Sequence, residues 1–358
     1  MQLDAANLPR LALGASLLAS GGGGDPALAL LMALQAVEQF GPVALVEVGD
    51  LRDDMLVLPC GMLGAPTIAE ERVWNGDEGR TLCDAVAGVR GRQVDALMPF
   101  GIGGANGLLP VLWAARAGLA LLDADGMGRA FPQLHQQTMS LAGIPPSPVI
   151  LTDGRGNAVR LDPADGAWAE QLARGALAGL GGVCAAALYC MSGEQARRAT
   201  IAGTISRALA LGEAMQTDDV HERLSAVRAA LRASILIEGR LQDIERRSGP
   251  GFARGAATVI GSGEDAGRRV RLEFQCELLV ALEDGAACAA VPDLISVLTA
   301  DTCAPIGVER LHRGQQVRVL TWRAPQAWQS REAIAIVGPA AFGYEIPPPV
   351  PTRATGDD

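Results

Sequence analysis

Apolar and polar positions follow two periods in the first half of the chain. Short apolar runs, typical of strands covered on both faces, alternate with longer stretches in which apolar residues recur at helical spacing. This alternation predicts βαβ units and a largely parallel sheet. The predicted strands are 43–48, 55–59, 95–100, 119–123 and 149–152, and the predicted helices are 7–19, 25–40, 77–90, 106–117 and 129–142.

The α/β pattern continues through residues 166–233. We expect these residues to pack on the core formed by residues 1–165. The predicted elements are a helix at 170–180, a buried strand at 183–190, one long helix at 192–215 and a last helix at 220–232.

The pattern changes from Ser234 onward, where strand-like runs follow one another between Gly, Pro and Asp turns. No helix is predicted in this part of the chain. The predicted strands are 235–237, 256–260, 270–282, 294–298, 317–322 and 333–337. Short strands joined by turns are typical of an antiparallel barrel or sandwich. The proline-rich residues 347–358 predict an extended tail.

Two domains follow from these patterns. Residues 1–233 are predicted to form an α/β three-layer sandwich with a largely parallel sheet. Residues 234–346 are predicted to form a mainly-β domain, either barrel-like or a sandwich. The length of 358 residues fits two domains, and the aromatic content of 4% means that aliphatic side chains must form most of both cores.

Charge and hydropathy exclude several classes of protein. The net charge of −10 argues against a nucleic-acid partner, because binding to phosphates needs a basic surface. The sequence contains no apolar run of transmembrane length, and its first residues lack the pattern of a secretory signal. We therefore expect no membrane association and a cytoplasmic location. The high apolar content favours a homo-oligomer.

The absence of lysine excludes two cofactor types. The sequence contains 30 arginines and no lysine. The chain therefore cannot form the lysine Schiff base of pyridoxal phosphate or the lysine contact of a P-loop nucleotide site. Seven cysteines occur without a C-x-x-C pair, so we expect reduced thiols rather than a disulfide framework or a zinc ribbon.

Four consecutive glycines precede Asp25 and a proline at the start of a predicted helix. Free backbone N–H groups at a helix start attract anions, and glycine lets a ligand approach the backbone closely. The alternative is a tight turn between two helices, although such a turn needs only one or two glycines. The candidates for substrate binding in this loop are Gly22, Gly23, Gly24 and Asp25.

A second glycine-rich segment, 100–107, joins a predicted strand to a predicted helix. This position is the carboxyl end of a parallel strand, where α/β proteins bind their ligands. Gly103 and Gly104 are candidates for backbone contacts with a substrate. Asn106 either caps the helix or offers its amide to a substrate carbonyl and ring N–H.

The segment 121–131 places two carboxylates, Asp123 and Asp125, directly after a buried strand. At the end of a strand, these groups would point into the crevice above the sheet. Either could act as a general base or ligate a divalent metal. Arg129 could hold a substrate carboxylate through two hydrogen bonds. The alternative is a helix cap combined with a structural salt bridge.

Three further features carry weaker signals. Glu70 could supply another catalytic carboxylate, although a solvated helix face is the alternative. Cys60 has no histidine nearby in sequence to activate it, and we interpret it as a buried, inert thiol. Arginines flank the loop 249–251 and could reach an acidic substrate, although alternating charge on a strand is typical of a solvated face.

The glycine-rich and acidic segments resemble those of the S-methyl thiohydantoin desulfurase-like family. The blocks that carry the resemblance are 21–26, 61–67, 101–110, 123–131, 203–209, 245–255, 292–297 and 342–344. The resemblance implies an N-terminal three-layer α/β domain and a C-terminal portion that ends in a barrel-like module. It also implies a role in hydantoin and thiohydantoin metabolism, with a hydantoinase or oxoprolinase as a partner.

The leading hypothesis is hydrolytic removal of a thiol group from C2 of a small five-membered ring of the thiohydantoin type. A carboxylate would activate water, and hydrogen-bond donors would stabilise the charge that develops on ring nitrogen. Two alternatives stay open. The first is amide hydrolysis of a hydantoin or lactam ring, and the second is a noncatalytic metabolite-binding or partner subunit of a hydantoinase.

All three hypotheses need the separate glycine and acidic segments to meet. We expect Gly22, Gly103 and Asp125 to share one hollow, with a bound heterocycle between them.

Overall fold

The structure is a computed structural model that describes residues 1–72, 74–248 and 253–346. The predicted tail 347–358 and the loop 249–251 lie outside these ranges. Five further side chains are outside the description, those of Pro66, Thr67, Glu70, Ser248 and Ala253. None of the helices within the described ranges combines the length and the apolar character needed to cross a lipid bilayer.

The first structural unit combines helices with a β-sheet, as predicted for an α/β domain. Its strands are β1 (Gln2–Leu3), β2 (Val43–Val46), β3 (Leu56–Gly64), β4 (Ala96–Pro99), β5 (Ala120–Leu122), β6 (Ala124–Asp125), β7 (Val149–Thr152), β8 (Ala158–Leu161), β9 (Val183–Ala187), β10 (Met191–Ser192) and β11 (Ile201–Ala202). Its helices are α1 (Leu8–Leu18), α2 (Pro26–Phe40), α3 (Pro66–Glu71), α4 (Glu78–Arg90), α5 (Leu109–Ala117), α6 (Thr138–Leu141), α7 (Gly166–Ala176), α8 (Gly193–Ala199), α9 (Thr204–Ala214) and α10 (Val220–Leu231).

Nine strands of the described residues form the main sheet, in the order β1-β2-β5-β4-β3-β9-β7-β8, with β10 beside β3. Strands β2, β5, β4 and β3 run parallel, whereas the remaining pairs are antiparallel. Strands β4 and β9 are buried along their whole length. The carboxyl ends of β3, β4 and β5 therefore meet at one edge, the place where sheets of this kind bind ligands.

Polar caps that are visible in the sequence start several helices. Asp25 accepts a hydrogen bond from the N–H of Ala27 at 2.8 Å and so begins α2, as predicted. Ser192 and Gln195 form a reciprocal capping box at the start of α8. Such caps satisfy N–H groups that have no partner within the helix.

The second unit is an antiparallel sheet that curls into a half-barrel, which confirms the predicted mainly-β domain. Within the described residues it has seven strands in the order β16-β15-β14-β13-β12-β18-β17, followed by one α-helix. Its elements are β12 (Ser234–Ser248), β13 (Ala253–Gly261), β14 (Arg269–Gln275), β15 (Glu277–Glu283), β16 (Ala286–Ala290), β17 (Leu294–Thr299), β18 (Gln316–Trp322) and α11 (Arg331–Val337).

The predicted helix 129–142 is wrong, because only Thr138–Leu141 is helical. The preceding residues form a buried irregular segment whose backbone bonds to side chains instead of to a helical neighbour. The N–H of Leu134 donates to Glu170 at 2.8 Å, and the side chain of Gln137 donates to the carbonyl of Leu134 at 2.9 Å. These contacts satisfy the backbone polar groups that a helix would otherwise pair.

Two predictions about the later segments are also wrong. The predicted strand 333–337 lies in helix α11, because Ser330 accepts a hydrogen bond from the N–H of Ala333 at 3.1 Å and caps the helix. The predicted helix 192–215 is divided into α8 and α9 by β11, which pairs with β6. In both cases a local cap or a distant strand overrides the apolar pattern.

The glycine-rich loop 20–24 lies between the two units and bonds to both. Leu278 of β15 donates its backbone N–H to the carbonyl of Ser20 at 2.8 Å. Ala105 of the first unit donates to the carbonyl of Gly23 at 3.0 Å. The loop therefore joins the two units through main-chain atoms.

Close approach and backbone conformation both require glycine in this loop. A Cβ atom on Gly22 would overlap the carboxyl group of Glu277, and one on Gly23 would overlap the carbonyl oxygen of Gly103. Gly23 also has a φ angle of 70°, in the left-handed region that L side chains rarely adopt. Neighbouring protein segments thus account for glycine at these two positions.

We predict that Gly23→Ala lowers the free energy of unfolding by about 1–3 kcal/mol, because the new methyl group must displace backbone rather than a flexible side chain. Gly49→Ala is the matched control, since a Cβ there meets no atom within 4 Å. Urea denaturation of both variants would measure the difference. Equal stability of the two variants would contradict the close approach seen at Gly23.

Candidate functional site

A cavity opens at the junction of the two units, beside the carboxyl edge of the parallel strands. It encloses about 660 Å³, including the space at its open mouth. Its lining is drawn from segments 23–24, 62–64, 100–106, 127–134 and 276–277, together with Arg174 of α7. We call it the interdomain cavity.

Glu277, the first residue of β15, lines this cavity although it is only 3% exposed. Its Oε2 atom has no hydrogen-bond partner among the described residues. Burial raises the pKa of this carboxyl to about 8; the buried Arg129 opposes the shift and the charge of Glu309 adds to it. Glu277 is therefore mostly protonated at neutral pH.

Cys276 forms the sharp reversal between β14 and β15. Gln275 pairs directly with Glu277, so a single residue connects the two strands. Cys276 has a φ angle of 62°, is half-buried and lines the interdomain cavity. The sequence pattern predicted one continuous strand here. The polar Gln275 and Glu277 within an apolar run were the signal that could have revealed the turn.

The two glycine-rich segments meet in the cavity, as expected. Gly23, Gly24 and Gly103 line it together with Asn106. Asn106 accepts a hydrogen bond from the N–H of Met62 at 2.7 Å through its Oδ1 atom. This bond fixes the end of β3 against the turn that precedes α5.

Asp125 lies outside the lining of the cavity and is fully buried. Its carboxyl accepts hydrogen bonds from the N–H groups of Ile102 at 2.6 Å and Gly128 at 2.8 Å. Burial raises its pKa to about 7, and these backbone bonds oppose the shift. Asp125 thus holds two cavity-lining segments together. Of the three positions expected to share one hollow, only Gly103 lines this cavity.

Asp123 caps helix α9. It accepts hydrogen bonds from the N–H groups of Ile205 at 2.9 Å and Ser206 at 3.0 Å, and from the hydroxyl of Ser206 at 2.5 Å. This is the capping alternative considered from the sequence. The carboxyl groups of both aspartates, which were considered as ligands of a possible divalent metal, accept hydrogen bonds from protein groups. The described residues also contain no group of three or more His, Cys, Asp or Glu side chains arranged to hold a metal ion.

Arg129 is fully buried and joins the two units. Burial lowers its pKa to about 10, and the guanidinium packs over the ring of Phe131 at 4.7 Å. It donates to the backbone carbonyls of Ala130, Pro292 and Asp293, each at 3.0 Å, and of Leu278 at 3.3 Å. These bonds occupy the groups that were predicted to hold a substrate carboxylate. The arginine that lines the cavity is Arg174, which sequence analysis missed.

Gly22, Asp25 and Gly104 are not part of the cavity lining. Gly22 and Asp25 line a neighbouring surface cleft, where Asp25 also pairs with Arg310. Gly104 packs against the glycine-rich loop, since a Cβ there would overlap the backbone of that loop. Glu70 lies on α3, and its side chain is outside the described part of the structure.

Comparison with known proteins gives a consistent result along nearly the whole chain. The family model described as S-Me-THD-like, N-terminal domain, matches residues 6–163, and the model for the C-terminal domain of the same family matches residues 164–350. A crystal structure of a protein from Chromobacterium violaceum superposes with a TM-score of 0.79 at 26% identity, covering 96% of this chain and 98% of that chain. No curated protein matches significantly.

We predict that Arg129→Met lowers the free energy of unfolding by about 3–5 kcal/mol, because several buried carbonyl groups lose their donor. Arg323→Met is the control. Arg323 is half exposed and lies 3.8 Å from Asp293, so its loss should change stability by less than about 0.5 kcal/mol. Chemical denaturation would measure the stability of both variants. A small loss of stability in Arg129→Met would contradict the conclusion that Arg129 holds the two units together.

We predict that Glu277→Gln changes the pH dependence of stability. The carboxyl has a pKa of about 8 in the folded protein, above its ordinary value of 4.5. The folded state therefore retains a proton that the unfolded state releases, so the wild type loses stability as pH rises through this interval. The free energy of unfolding of Glu277→Gln minus that of the wild type should therefore increase from pH 4.5 to pH 8 and stay constant above pH 8.

The matched control for this titration is Glu273→Gln on the same hairpin. Glu273 pairs with Arg271 at 2.6 Å and is not part of the cavity lining. Denaturation curves measured at several pH values should show the growing difference only for Glu277→Gln. A difference that stays constant with pH would show that Glu277 keeps an ordinary pKa.

Proposed function

This chain belongs to the S-Me-THD-like family, and we propose that it hydrolytically removes a thiol group from C2 of a thiohydantoin-type ring bound in the interdomain cavity. The observation that carries the proposal is Glu277, a buried carboxyl with an unpartnered oxygen in that cavity. The family match supports a hydantoin-related role.

The chemistry needs a group that can both give and take a proton. C2 of such a ring is bonded to two nitrogens and one sulfur, and the sulfur leaves more readily when it is protonated. Glu277 in its neutral form can supply that proton. The resulting carboxylate can then accept a proton from water that adds to C2. A pKa of about 8 suits both steps near neutral pH.

The rest of the lining suits a small ring with a polar edge. Met62, Phe100 and Phe131 offer apolar contacts to the ring faces. Asn106 and the glycine backbone lie at the same cavity and suit the ring N–H and carbonyl groups. Arg174 also contributes to the lining, and its guanidinium pairs with Glu170 of the same helix at 2.6 Å.

The proposed reaction bears on a partner enzyme, on the location of the protein and on its oligomeric state. Removal of the thiol leaves a hydantoin, whose amide bonds are the substrate of a hydantoinase-type partner. We place the reaction in the cytoplasm, where the thiols of the chain would stay reduced. Leu28, Leu31 and Phe40 are exposed on α2, which favours a homo-oligomeric contact.

The proposal predicts that the purified protein releases methanethiol from an S-methyl thiohydantoin without any partner. A thiol reagent and mass spectrometry of the hydantoin product would measure the reaction. Formation of a carbamoyl amino acid from a hydantoin would instead support the amide hydrolase. Turnover that requires an added hydantoinase would support the partner-subunit alternative.

Substitution distinguishes the two carboxyl groups considered for catalysis. Glu277→Gln should lower kcat by about 10²–10⁴-fold, as expected for loss of a general acid or base. Glu273→Gln should leave kcat unchanged, because its carboxylate is paired outside the cavity. The wild-type rate should also fall above pH 8 as Glu277 loses its proton. Turnover that survives Glu277→Gln but is abolished by Asp125→Asn would assign the chemistry to Asp125.

A further inference from the structure

The tip of the β14–β15 hairpin presents two reactive side chains to the interdomain cavity. Cys276 and Glu277 are consecutive, and both contribute to the lining. Consecutive residues of a regular strand point to opposite faces. Here the reversal at Cys276, with its φ angle of 62°, breaks that alternation, which explains how both residues reach one cavity.

The backbone at Cys276 has an unusual conformation for a side chain other than glycine. Residues in this region of φ are uncommon and cluster at active sites, where the surrounding structure holds them in place. Two contacts hold this hairpin. The N–H of Leu278 bonds to Ser20 at 2.8 Å, and the carbonyl of Leu278 accepts from Arg129 at 3.3 Å. The turn is therefore anchored to the first unit immediately after Glu277.

Cys276 differs in position from most other thiols of the chain. Cys60, Cys83, Cys184, Cys190 and Cys303 are buried. Burial raises the pKa of each of them, which keeps these thiols protonated and unreactive. Cys288 is half-buried like Cys276 but does not line the interdomain cavity.

Glu277 supplies the independent observation that this is a reaction centre. It is a carboxyl group more than nine-tenths buried, with one oxygen atom that has no hydrogen-bond partner in the described structure. An unpaired buried polar atom costs stability unless a ligand or a reacting group meets it. A thiol and a proton carrier that line the same cavity are the components that nucleophilic catalysis needs.

We propose that Cys276 is the nucleophile of the reaction and that Glu277 carries the protons, so that sulfur removal passes through a covalent adduct on Cys276. This inference rests on the proposed function. In the first step the Sγ atom of Cys276 bonds to C2 of the ring and the bond from C2 to the methylthio sulfur breaks. Glu277 donates its proton to the departing methanethiolate and receives the proton of the Cys276 thiol.

The second step returns the enzyme to its starting state. Water adds to C2 through its oxygen, and the bond between C2 and Sγ breaks. One proton of the water returns to Sγ through Glu277. The other proton of the water moves to the ring nitrogen as C2 takes its carbonyl form. The sum is one ring thioether and one water converted to one hydantoin and one methanethiol, with no oxidant or reductant.

Two variants at Cys276 test the proposal. Cys276→Ser retains the size of the side chain, and Cys276→Gly removes it while fitting the positive φ angle, so at least the glycine variant should fold. Cys288→Ser is the matched control on the same sheet. Both Cys276 variants should lose kcat by more than about 1,000-fold, whereas Cys288→Ser should stay within twofold of the wild type. Thermal melts would verify that each variant is folded.

Acid quenching of the wild type during turnover gives a readout that a merely structural cysteine would not change. Mass spectrometry of the quenched protein should show an added mass equal to the substrate minus methanethiol, and peptide mapping should place it on Cys276. A burst of methanethiol equal to the amount of enzyme should precede steady turnover if the second step is slower.

The outcomes separate this inference from the proposed function. Thiol release that continues at the wild-type rate in Cys276→Gly, without an adduct in the wild type, overturns the nucleophile and retains the desulfurase activity. An adduct on Cys276 that is never hydrolysed supports the nucleophile and rejects the hydrolytic function. A wild-type protein that gives neither adduct nor methanethiol overturns both.

Discussion

The close approach of loop 20–24 to both units is the constraint on which the rest of this structure depends. The contacts are made by main-chain atoms, so the distance between the two units is fixed by groups that cannot change their rotamer. Gly22 and Gly23 leave no room for a methyl group. The interdomain cavity begins where this contact ends, because Gly23 and Gly24 form part of its lining. The same glycines therefore set both the junction of the units and the shape of the site.

Near this junction lie the buried ionisable side chains of Arg129, Asp125 and Glu277, which differ in how fully their polar atoms are hydrogen-bonded. Arg129 and Asp125 are each compensated by several backbone bonds, which hold segments of the cavity in place. Glu277 is compensated only in part, because its Oε2 atom has no partner among the described residues. Burial of an ionisable group without full compensation costs stability. Such groups with shifted pKa values cluster at functional sites, which is the physical basis for proposing Glu277 rather than Asp125 as the reacting carboxyl.

Much of the fold could be predicted from the sequence, because the signals that decide it are local. Alternating strand and helix periods predicted the α/β unit, successive strand-like runs predicted the mainly-β domain, and Asp25 correctly marked the start of α2. The predicted strand 333–337 failed because the local cap Ser330 starts a helix there, whereas the other failures have a cause in distant contacts. The segment 129–137 is not helical because distant side chains such as Glu170 satisfy its backbone, and the reversal at Cys276 depends on contacts with the loop 20–24. Interactions between residues far apart in the chain leave no periodic trace in the sequence.

The sequence by itself determined that the blocks around Gly23 and Gly103 would meet, since glycine is required wherever two backbones come this close. It did not identify the part of the lining that Cys276, Glu277 and Arg174 contribute. Only the tertiary structure decided which side chains face the cavity. Asp125 follows a strand at the expected edge, yet its carboxyl turns to the N–H groups of Ile102 and Gly128. Glu277 comes from the other unit and reaches the cavity because the sheet curls toward the glycine-rich loop. The direction of a side chain depends on pairing between distant strands, and no local pattern records that pairing.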